Sequence, residues 1–488
     1  MTDVNRFGPE LALLAAAGII VLVDLALPVA GGRARTLALA GLGLAGAAGS
    51  IAWSALLIAF DEKGEAFEGM MVVDDFSLFF SFLFAGVAAV VILASIDFLR
   101  AKRFQGEYIA LVLASSAGMM LLAGTIDLIA IFVALELQAI SLIVLVGFLK
   151  DGRSAEAALK YLLLSATSTA VTLYGMAFLF GLSGATGLRE IAEFVSQADE
   201  GARWGLVLAA VFLAAGLGFK MAVVPFQMWV PDVYEGAPTP VTAYLSVASK
   251  AAGFAVVIRI FVTGLGDGFI SSDWANMFAA IAAMSMTLGN VVALVQTNIK
   301  RMLAYSSIAQ AGTFLIGLAA VAAQDPQLVL GTSAVVFFLG TYAFTNLGAF
   351  IAVIAISNKI KSDEISDYAG VAKRSPWLAG GLAACLISLT GIPPTAGFIA
   401  KVYVFNAAVE ADLVWLAIVG VLNTVVSAYY YLRVVLNMYT LEPANEERIQ
   451  PGLYLGTAMA VSVVGLFVVG VFPGPLLDAS EAAAQVFG

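Results

Sequence analysis

Long apolar runs recur from one end of the chain to the other, and they limit its fold more than any other feature. Each run reaches roughly twenty residues, enough to cross about 30 Å of hydrocarbon as a helix. Over 488 residues the chain is 61% hydrophobic and only 12% charged. A soluble domain of this length carries more charge, so the sequence predicts an all-α integral membrane protein.

Hydropathy predicts about fourteen transmembrane helices, joined mostly by short connections, in one bundle without an extramembrane domain. The first apolar run has no basic leader and no small-residue cleavage site, so we expect it to be a retained span. The predicted spans cover residues 8–30, 36–59, 75–99, 108–124, 126–148, 155–182, 204–228, 239–263, 273–297, 301–322, 327–356, 376–407, 410–437 and 452–474.

Basic residues collect in alternate loops, which predicts the orientation. The opposite loops and the termini hold Arg6, Lys63, Arg189 and Arg203, a bias of roughly fourteen to four. This bias predicts that the basic loops are cytoplasmic and that both termini lie on the opposite, outer side of the membrane. The basic loops carry Arg33, Arg35, Arg100, Lys102, Arg103, Lys150, Arg153, Lys300, Arg301, Lys359, Lys361, Lys373, Arg374 and Arg448.

Composition excludes several kinds of site. The chain has no histidine, and Cys385 is its single cysteine, which excludes intrachain disulfides and cysteine-based metal or iron–sulfur sites. It has no strand–GxGxxG–helix unit for NADH or flavin, because its one GxGxxG pattern, at residues 41–46, lies inside a predicted span, and it has no dense basic patch for nucleic acid. We therefore expect no cofactor and no metal in this chain, and any ionisable chemistry falls to Lys, Glu, Asp and Tyr.

Four ionisable residues lie well inside predicted spans: Glu136, Lys220, Lys250 and Lys401. A charge at the bilayer centre costs about 2.5–3.5 kcal/mol, so these residues must face one another, water or backbone carbonyls, and they are candidates for function. Two structural alternatives remain open. Glu136 and Lys220 could form a purely structural ion pair, and Lys401 could reach the membrane surface from a helix end.

Weaker polar candidates surround these four. Helical spacing predicts that Thr242, Ser246 and Lys250 form one polar stripe, while Asp24 and Arg259 could reach an interface or a partner subunit. Other polar residues within spans could extend a hydrated path, although each is also typical of helix–helix contacts. They are Ser165, Thr167, Ser168, Thr169, Ser306, Ser307, Gln310, Tyr342, Thr345, Asn346, Asn423, Thr424 and Ser427.

Two spans contain helix breakers. Pro225 lies in the seventh span, and Gly391, Pro393 and Pro394 lie in the twelfth. Proline frees a backbone carbonyl one turn earlier, and in lipid such a break persists only where the freed groups face protein or water. Both breaks lie close to a buried lysine, a pattern typical of ion-translocating folds. Desolvation disfavours a charged lysine and a nearby carboxylate favours it, so these residues form a candidate proton path.

At these residues the chain resembles the antiporter-like subunits of respiratory complex I, most closely the subunit N family of bacterial NADH–quinone oxidoreductase. Lys401 stands where a sister subunit typically has glutamate, and the chain ends shortly after its last span, whereas the largest sister has a long extension. The motifs that carry the resemblance are "FVALELQAISLIVLVGF", "KMAVVPFQMWVPDVYEGAPTPVTAYLSVASKAAGF", "NIKRMLAYSSIAQAG" and "SLTGIPPTAGFIAKVYVF".

The resemblance implies two inverted five-helix repeats, helices 4–8 and 9–13, with helices 7 and 12 broken. On this resemblance, residues 1–105 form helices 1–3 and residues 106–265 form the first repeat. Residues 266–440 form the second repeat, and residues 441–488 contain helix 14. It also implies a Glu–Lys pair at Glu136 and Lys220, a central lysine at Lys250 and an ionisable residue at Lys401.

The implied function is proton translocation within complex I. NADH, FMN, iron–sulfur clusters and quinone would act in other subunits, and the partners would be other membrane subunits, including the sister antiporter-like subunits. Relatives commonly have histidine where this chain has Gln227, which leaves routes through Asp232 and Glu235 open. The alternatives are a subunit of a multisubunit cation/proton antiporter and a non-pumping structural membrane subunit.

Overall fold

The computed structural model describes residues 2–26, 32–266, 269–321, 329–443, 445 and 447–488. Its longer helices are Gly8–Ala26 (α2), Gly32–Ala59 (α3), Asp75–Leu99 (α4), Gln105–Gly124 (α5), Leu128–Val146 (α6), Gly152–Ser183 (α7), Glu200–Met221 (α9), Ser271–Leu294 (α13), Ile299–Val321 (α14), Val329–Ile360 (α15), Pro376–Thr390 (α17), Ala396–Glu410 (α18), Val414–Thr440 (α19) and Leu453–Val471 (α20). Its shorter helices are Thr2–Arg6 (α1), Leu188–Gln197 (α8), Trp229–Gly236 (α10), Thr239–Tyr244 (α11), Lys250–Ile258 (α12), Val371–Arg374 (α16) and Gly474–Gln485 (α21).

The all-α membrane architecture predicted from the sequence is confirmed. In the described part of the chain, 13 helices are long and apolar enough to cross a membrane. The predicted twelfth span is two helices of 15 residues each, α17 and α18. The predicted end of the first span, residues 27–30, and the predicted start of the eleventh, residues 327 and 328, lie outside the described residues.

Several connections have structure that the span prediction did not include. Between α7 and α9, the amphipathic helix α8 buries Leu188, Ile191 and Val195. Between α3 and α4, strands Gly64–Ala66 (β1) and Met71–Val73 (β2) pair antiparallel, with Glu65 opposite Val72. After α20, the short helix α21 packs against α4 and α15. These elements cover the ends of the bundle.

The centre of the bundle is formed by α14, α15 and the segment Thr239–Gly264, which are almost entirely enclosed by other helices. Helices α2, α3, α7 and α19 each expose much of their surface and form the periphery. Because lipid is as apolar as a protein core, polar side chains concentrate on enclosed helices, where protein supplies their hydrogen-bond partners. Lys250 lies on the central segment.

The central segment is not a continuous α-helix. Residues Leu245–Ser249 and Arg259–Gly264 form π-helical turns on either side of α12. A π-helical turn lies between Thr242 and Lys250, so the spacing of Thr242, Ser246 and Lys250 is not that of a regular α-helix, and all three side chains are buried. Such turns are rare and occur frequently at functional sites.

Two weaker candidates have partners within the chain. Arg259 is buried and pairs with Asp74, with 2.6 Å between Nη2 and Oδ1, and its Nε donates to the Ala123 carbonyl at 2.7 Å. Asp74 also caps α4. Asp24 pairs with Arg35, with 2.7 Å between Oδ1 and Nη2. Both pairs join neighbouring helices, so neither residue has to reach a partner subunit for its charge to be satisfied.

Candidate functional site

Lys220 lies in the last turn of α9, directly before the first helix break. It is 4% exposed, and its Nζ donates to Ser165 Oγ on α7 at 3.3 Å. The break spans Ala222 to Met228, and its backbone has protein partners: Val224 N–H donates to Ser285 Oγ at 2.9 Å, and Trp229 Nε1 donates to the Phe219 carbonyl at 3.1 Å. The break predicted at Pro225 is confirmed, and the Lys220 ammonium contacts α7.

Glu136 is half-buried on α6 and faces the same part of α7. It accepts a hydrogen bond from Thr169 Oγ1 at 2.9 Å. Thr169 lies one helical turn after Ser165, the partner of Lys220. Among the described ion pairs none joins Glu136 to Lys220, although the two charges are close enough to interact electrostatically. A Ser/Thr turn of α7 therefore separates the implied Glu–Lys pair in this structure.

Lys250 is 2% exposed at the centre of the bundle. Its Nζ donates to the backbone carbonyl of Ser307 on α14. Two hydrogen bonds join the turn before Lys250 to neighbouring helices: Gln138 Nε2 on α6 donates to Ser249 Oγ at 3.0 Å, and Asn346 Nδ2 on α15 donates to Ser246 Oγ at 2.7 Å. The ammonium is thus buried by protein and bound to a backbone carbonyl rather than exposed to lipid.

Lys401 lies in the first half of α18, just after the second break, and is 6% exposed. Its Nζ donates to the carbonyls of Leu389 and Thr390 at 3.0 and 2.9 Å, and to Thr424 Oγ1 at 3.3 Å. These carbonyls are the C-terminal end of α17, where the helix dipole favours a cation. The lysine therefore satisfies the helix end that the break creates, and it does not reach the membrane surface.

Glycines allow the close approach of the two half-helices at the second break. Gly391 ends α17 with φ of 88°, in the left-handed region that favours glycine. A Cβ atom at Gly397 would lie 1.9 Å from the Ser388 carbonyl oxygen, which is a severe overlap. Together with Pro393 and Pro394, which are exposed in the connecting loop, these residues make the predicted break in the twelfth span.

The surroundings of Lys220 and Lys250 adjoin one another. Tyr161 lies one turn before Ser165 on α7 and stacks on the Phe219 ring with 5.8 Å between ring centroids, and its hydroxyl lies near Ser249 without a hydrogen bond to it. At Gly253 the backbone of α12 passes so close to α9 that a Cβ would lie 3.0 Å from the Lys220 carbonyl carbon. Polar groups thus extend from Lys220 to the residue before Lys250.

A second series of polar groups joins Lys250 to Lys401. Ser306, next to the residue that binds Lys250, shares a hydrogen bond with Tyr431 Oη. Gln310 Nε2 lies 3.5 Å from the same Tyr431 hydroxyl and donates to the Leu389 carbonyl at 2.9 Å. Lys401 binds that carbonyl as well. A cavity of about 10 Å³ between Gln310 and Lys401 is close to the minimum that one water molecule needs.

Several buried polar atoms around these lysines have no protein partner. Among the described residues they include the hydroxyls of Tyr161, Tyr234 and Tyr342, Gln138 Oε1 and Asn346 Oδ1. Nearly all buried polar groups in proteins bind protein atoms or ordered water. Since these atoms come from α6, α7, α10 and α15 and surround Lys250, this region suits internal water molecules.

An ionic network lies beside this site, at the end of the bundle that carries the basic loops. Lys160 on α7 contacts Glu156 at 2.8 Å and Asp232 on α10 at 2.9 Å. Arg301 contacts both Asp232 and Glu235 at 2.9 Å. A cavity of about 200 Å³ opens between Lys160, Asp232 and Glu235. Lys160 precedes Tyr161, so the network adjoins the polar groups next to Lys220.

Asp232 is a permanent anion in this network. Partial burial by itself raises the pKa of its carboxyl, but hydrogen bonds from Arg301 and Lys160 outweigh that effect and hold the pKa below its ordinary value. The contribution of this carboxylate to stability is therefore present at neutral pH, and it is lost only as the pH falls through the lowered pKa. The sequence did not single out Lys160, because it lies near a helix end where solvated charges are common.

Other polar residues singled out from the sequence differ in their surroundings. Thr424, Ser307 and Gln310 contact or adjoin the buried lysines, as described above. Thr167 is exposed and donates to the Leu163 carbonyl of its own helix at 3.0 Å, so its predicted place in the path is wrong. Gln227 lies in the first break, where its Oε1 is buried without a protein partner.

Among the described residues, no group of three His, Cys, Asp or Glu side chains could hold a metal ion.

Comparisons with protein-family models and with known proteins point to the same family. A family model described as "NADH:quinone oxidoreductase/Mrp antiporter, TM" matches residues 125–427. NADH-quinone oxidoreductase subunit N of Dehalococcoides mccartyi is 44% identical over 99% of this chain and 99% of its own length.

Two solved structures share the architecture. A chain of respiratory complex I from Thermus thermophilus with bound aureothin has a TM-score of 0.81 and 30% identity, covering 97% of this chain and 99% of that one. A chain of the Mrp complex from Dietzia has a TM-score of 0.84 at 20% identity, covering 99% of this chain and 97% of that one. At that identity the second similarity concerns the fold alone.

Proposed function

The chain belongs to the family of antiporter-like membrane subunits of NADH-quinone oxidoreductase, and from this premise we propose that it moves protons across the membrane through Glu136, Lys220, Lys250 and Lys401. NADH oxidation and quinone reduction take place in other subunits, which hold FMN, iron–sulfur clusters and quinone. Other membrane subunits of complex I, including sister antiporter-like subunits, are its partners. The chain lies in a bacterial inner membrane with both termini on the periplasmic side.

One observation carries the proposal: three lysines are buried by protein inside an apolar bundle, and polar groups connect their surroundings. A permanently charged lysine in such a place costs several kcal/mol unless it is paired. No described ion pair includes Lys220, Lys250 or Lys401; their partners are hydroxyls and backbone carbonyls. Neutral partners of this kind hold either protonation state, which suits groups that gain and lose a proton.

The chemistry of the partners limits how a proton moves. A backbone carbonyl only accepts hydrogen bonds, so the Ser307 carbonyl orients Lys250 but cannot relay its proton. Hydroxyls and water both donate and accept, so transfer runs through Ser165, Tyr161 and Ser249 on one side of Lys250, and through Ser306 and Tyr431 on the other. Water at the unpartnered tyrosine hydroxyls completes the proposed path. Glu136 biases the first lysine toward its charged form through its negative charge.

We expect the substitution Lys220→Ala to abolish most proton pumping while leaving the complex assembled. Removing a positioned proton-transfer group lowers a rate by roughly 100-fold or more, and no other described lysine contacts Ser165. The measurement is NADH-driven proton uptake by inverted membrane vesicles, divided by the amount of assembled complex. Glu136→Ala should also lower this ratio, because the carboxylate no longer biases Lys220.

The matched control for this experiment is Lys373→Ala. Lys373 is an exposed lysine whose ion pair with Glu442 lies at the surface, and such pairs contribute only about 0–1 kcal/mol. Its removal should leave pumping unchanged. Full pumping by an assembled Lys220→Ala complex would contradict the proposal.

The ionic network beside Tyr161 is the proposed place of proton uptake from the basic-loop side. We expect Lys160→Ala to slow pumping by roughly tenfold or more, since Lys160 is a titratable cation of this network that directly precedes Tyr161 on α7, and positioned proton-transfer groups contribute at least that much. Arg153→Ala is the control, because Arg153 belongs to the same network but is 68% exposed and contacts only Glu235. Equal effects of the two substitutions on vesicle proton uptake would assign the network a structural role.

A second candidate function is cation/proton exchange in a multisubunit antiporter. The matching family model covers both kinds of complex, and the Mrp complex from Dietzia shares the fold. The identity of the partners separates the two functions. Co-purification with flavin, iron–sulfur and NADH-oxidising subunits supports the complex I proposal, whereas sodium-dependent proton exchange without such subunits supports the antiporter.

A further inference from the structure

A long apolar crevice lies against α15. It is on the side of this helix opposite to α14, the helix whose Ser307 carbonyl binds Lys250. It has a volume of about 550 Å³ and lies between α3, α4, α15, α20 and α21, which places it in the size range of sites for drug-sized ligands. Its walls are almost entirely hydrocarbon. The residues that define it include Phe79, Phe82, Gly86, Gly340, Phe344 and Leu476.

The crevice is elongated along α4. Its lining on this helix begins at Asp75 and continues to Val90 at helical spacing, which corresponds to roughly 22 Å at 1.5 Å per residue. One leaflet of a bilayer is about 15 Å thick, half of the hydrocarbon core. The crevice is therefore long enough for a complete acyl chain that enters from one membrane surface.

The crevice is also narrow. Its volume spread over this length gives a mean cross-section of roughly 25 Å². Gly86 confirms that the space is free, because a Cβ built there meets no other atom within 4 Å.

A charged pair marks one end of the crevice. Asp75, the polar residue at the start of the α4 lining, pairs with Lys63 at 2.7 Å, and both side chains are about one-third exposed. The other polar side chain among the described lining residues is Ser462, whose hydroxyl donates to the Ala458 carbonyl at 3.1 Å. The site thus combines an apolar interior with an ion pair at one end, in which Asp75 lines the crevice and Lys63 lies beside it.

From this geometry we infer that the crevice binds one acyl chain of a membrane phospholipid, with the lipid phosphate at the rim beside Lys63. The bilayer is as apolar as the crevice, so the hydrophobic effect does not hold the chain there. Close packing against the aromatic rings and the phosphate–ammonium contact select the bound lipid. The lipid would fill the gap between α4 and the central helix α15.

Photolabelling of the whole complex tests this inference. The purified complex is placed in nanodiscs that contain a phospholipid with a diazirine in one acyl chain, and labelled residues are mapped by mass spectrometry after illumination. Label is expected on the crevice walls formed by α4, α15 and α21. We expect Gly86→Leu to reduce that label by roughly tenfold or more, because the added side chain fills close-packed space that the acyl chain needs. Lys63→Gln should reduce it as well.

Gly41→Leu is the matched control. Gly41 is also a glycine within a helix, and a Cβ there meets nothing within 4 Å, but it faces outward on α3. This variant should keep the labelling of the crevice. The inference is overturned if the crevice walls are unlabelled, or if Gly86→Leu labels like the parent complex. Cross-linking of these walls to another subunit, or release of quinone instead of phospholipid on exhaustive delipidation, would likewise overturn it.

Discussion

The substitution Lys250→Arg should stop proton pumping in a complex that still assembles. Arginine keeps the positive charge and can still donate to the Ser307 carbonyl, but it does not lose its proton in proteins. If Lys250 must gain and lose a proton, we expect pumping per assembled complex to fall by roughly 100-fold or more. NADH-driven proton uptake by vesicles, normalised to the amount of complex, measures this effect.

Lys250→Met is the companion variant. Methionine has a similar unbranched shape without the charge, and replacing a buried charge by a well-packed apolar residue is often neutral or stabilising. This complex should assemble and should not pump. The structural-subunit alternative makes the opposite prediction: the arginine variant would pump normally, and loss of charge would reduce only the amount of assembled complex. Normal pumping by either variant would exclude Lys250 from the path.

The substitution Gly397→Ala should destabilise the second helix break and displace Lys401. The new Cβ would overlap the Ser388 carbonyl oxygen, which belongs to backbone and cannot rotate away. Helix α18 must then move from α17, which separates the Lys401 ammonium from the carbonyls of Leu389 and Thr390. We expect a loss of about 3 kcal/mol, at the upper end of overpacking effects, together with a strong decrease in pumping.

Thermal unfolding of the detergent-solubilised complex measures the stability change, with Gly41→Ala as its control. Gly41 lies in open space on α3, and alanine stabilises a helix interior relative to glycine by about 1 kcal/mol. This control should therefore retain or slightly gain stability. If Gly397→Ala unfolds at the same temperature as the parent complex, the two half-helices do not pack as closely as described.

Much of the fold could be predicted because its signals are local. An apolar run with charged ends identifies a span whatever its neighbours are, and α4 begins and ends at the predicted residues 75 and 99. Pro225 and the Gly391–Pro394 region identified both helix breaks for the same reason. Helix α8 was missed although the spacing of Leu188, Ile191 and Val195 was present, because its acidic residues made the segment resemble a loop.

The features of the site that could not be predicted from the sequence depend on packing between distant segments. The distance between Glu136 and Lys220 is set by how α6 and α9 pack on α7, and nothing near either residue encodes it. The role of Lys160 depends on Asp232, 72 positions later. The π-helical turn before Lys250 also leaves no signature in residue type. Such features arise from the tertiary arrangement, whereas each buried lysine was visible by its contrast with its apolar neighbours.

The contacts of Lys401 have a consequence for the helix break when this residue is deprotonated. A neutral amine retains two N–H groups, which is the number needed to hold the carbonyls of Leu389 and Thr390. Its lone pair then faces Thr424, whose hydroxyl now donates to the Gly420 carbonyl and needs only to rotate to donate to the nitrogen. The ends of the half-helices therefore stay joined in both charge states, and proton release from Lys401 requires a hydroxyl rotation rather than a backbone rearrangement.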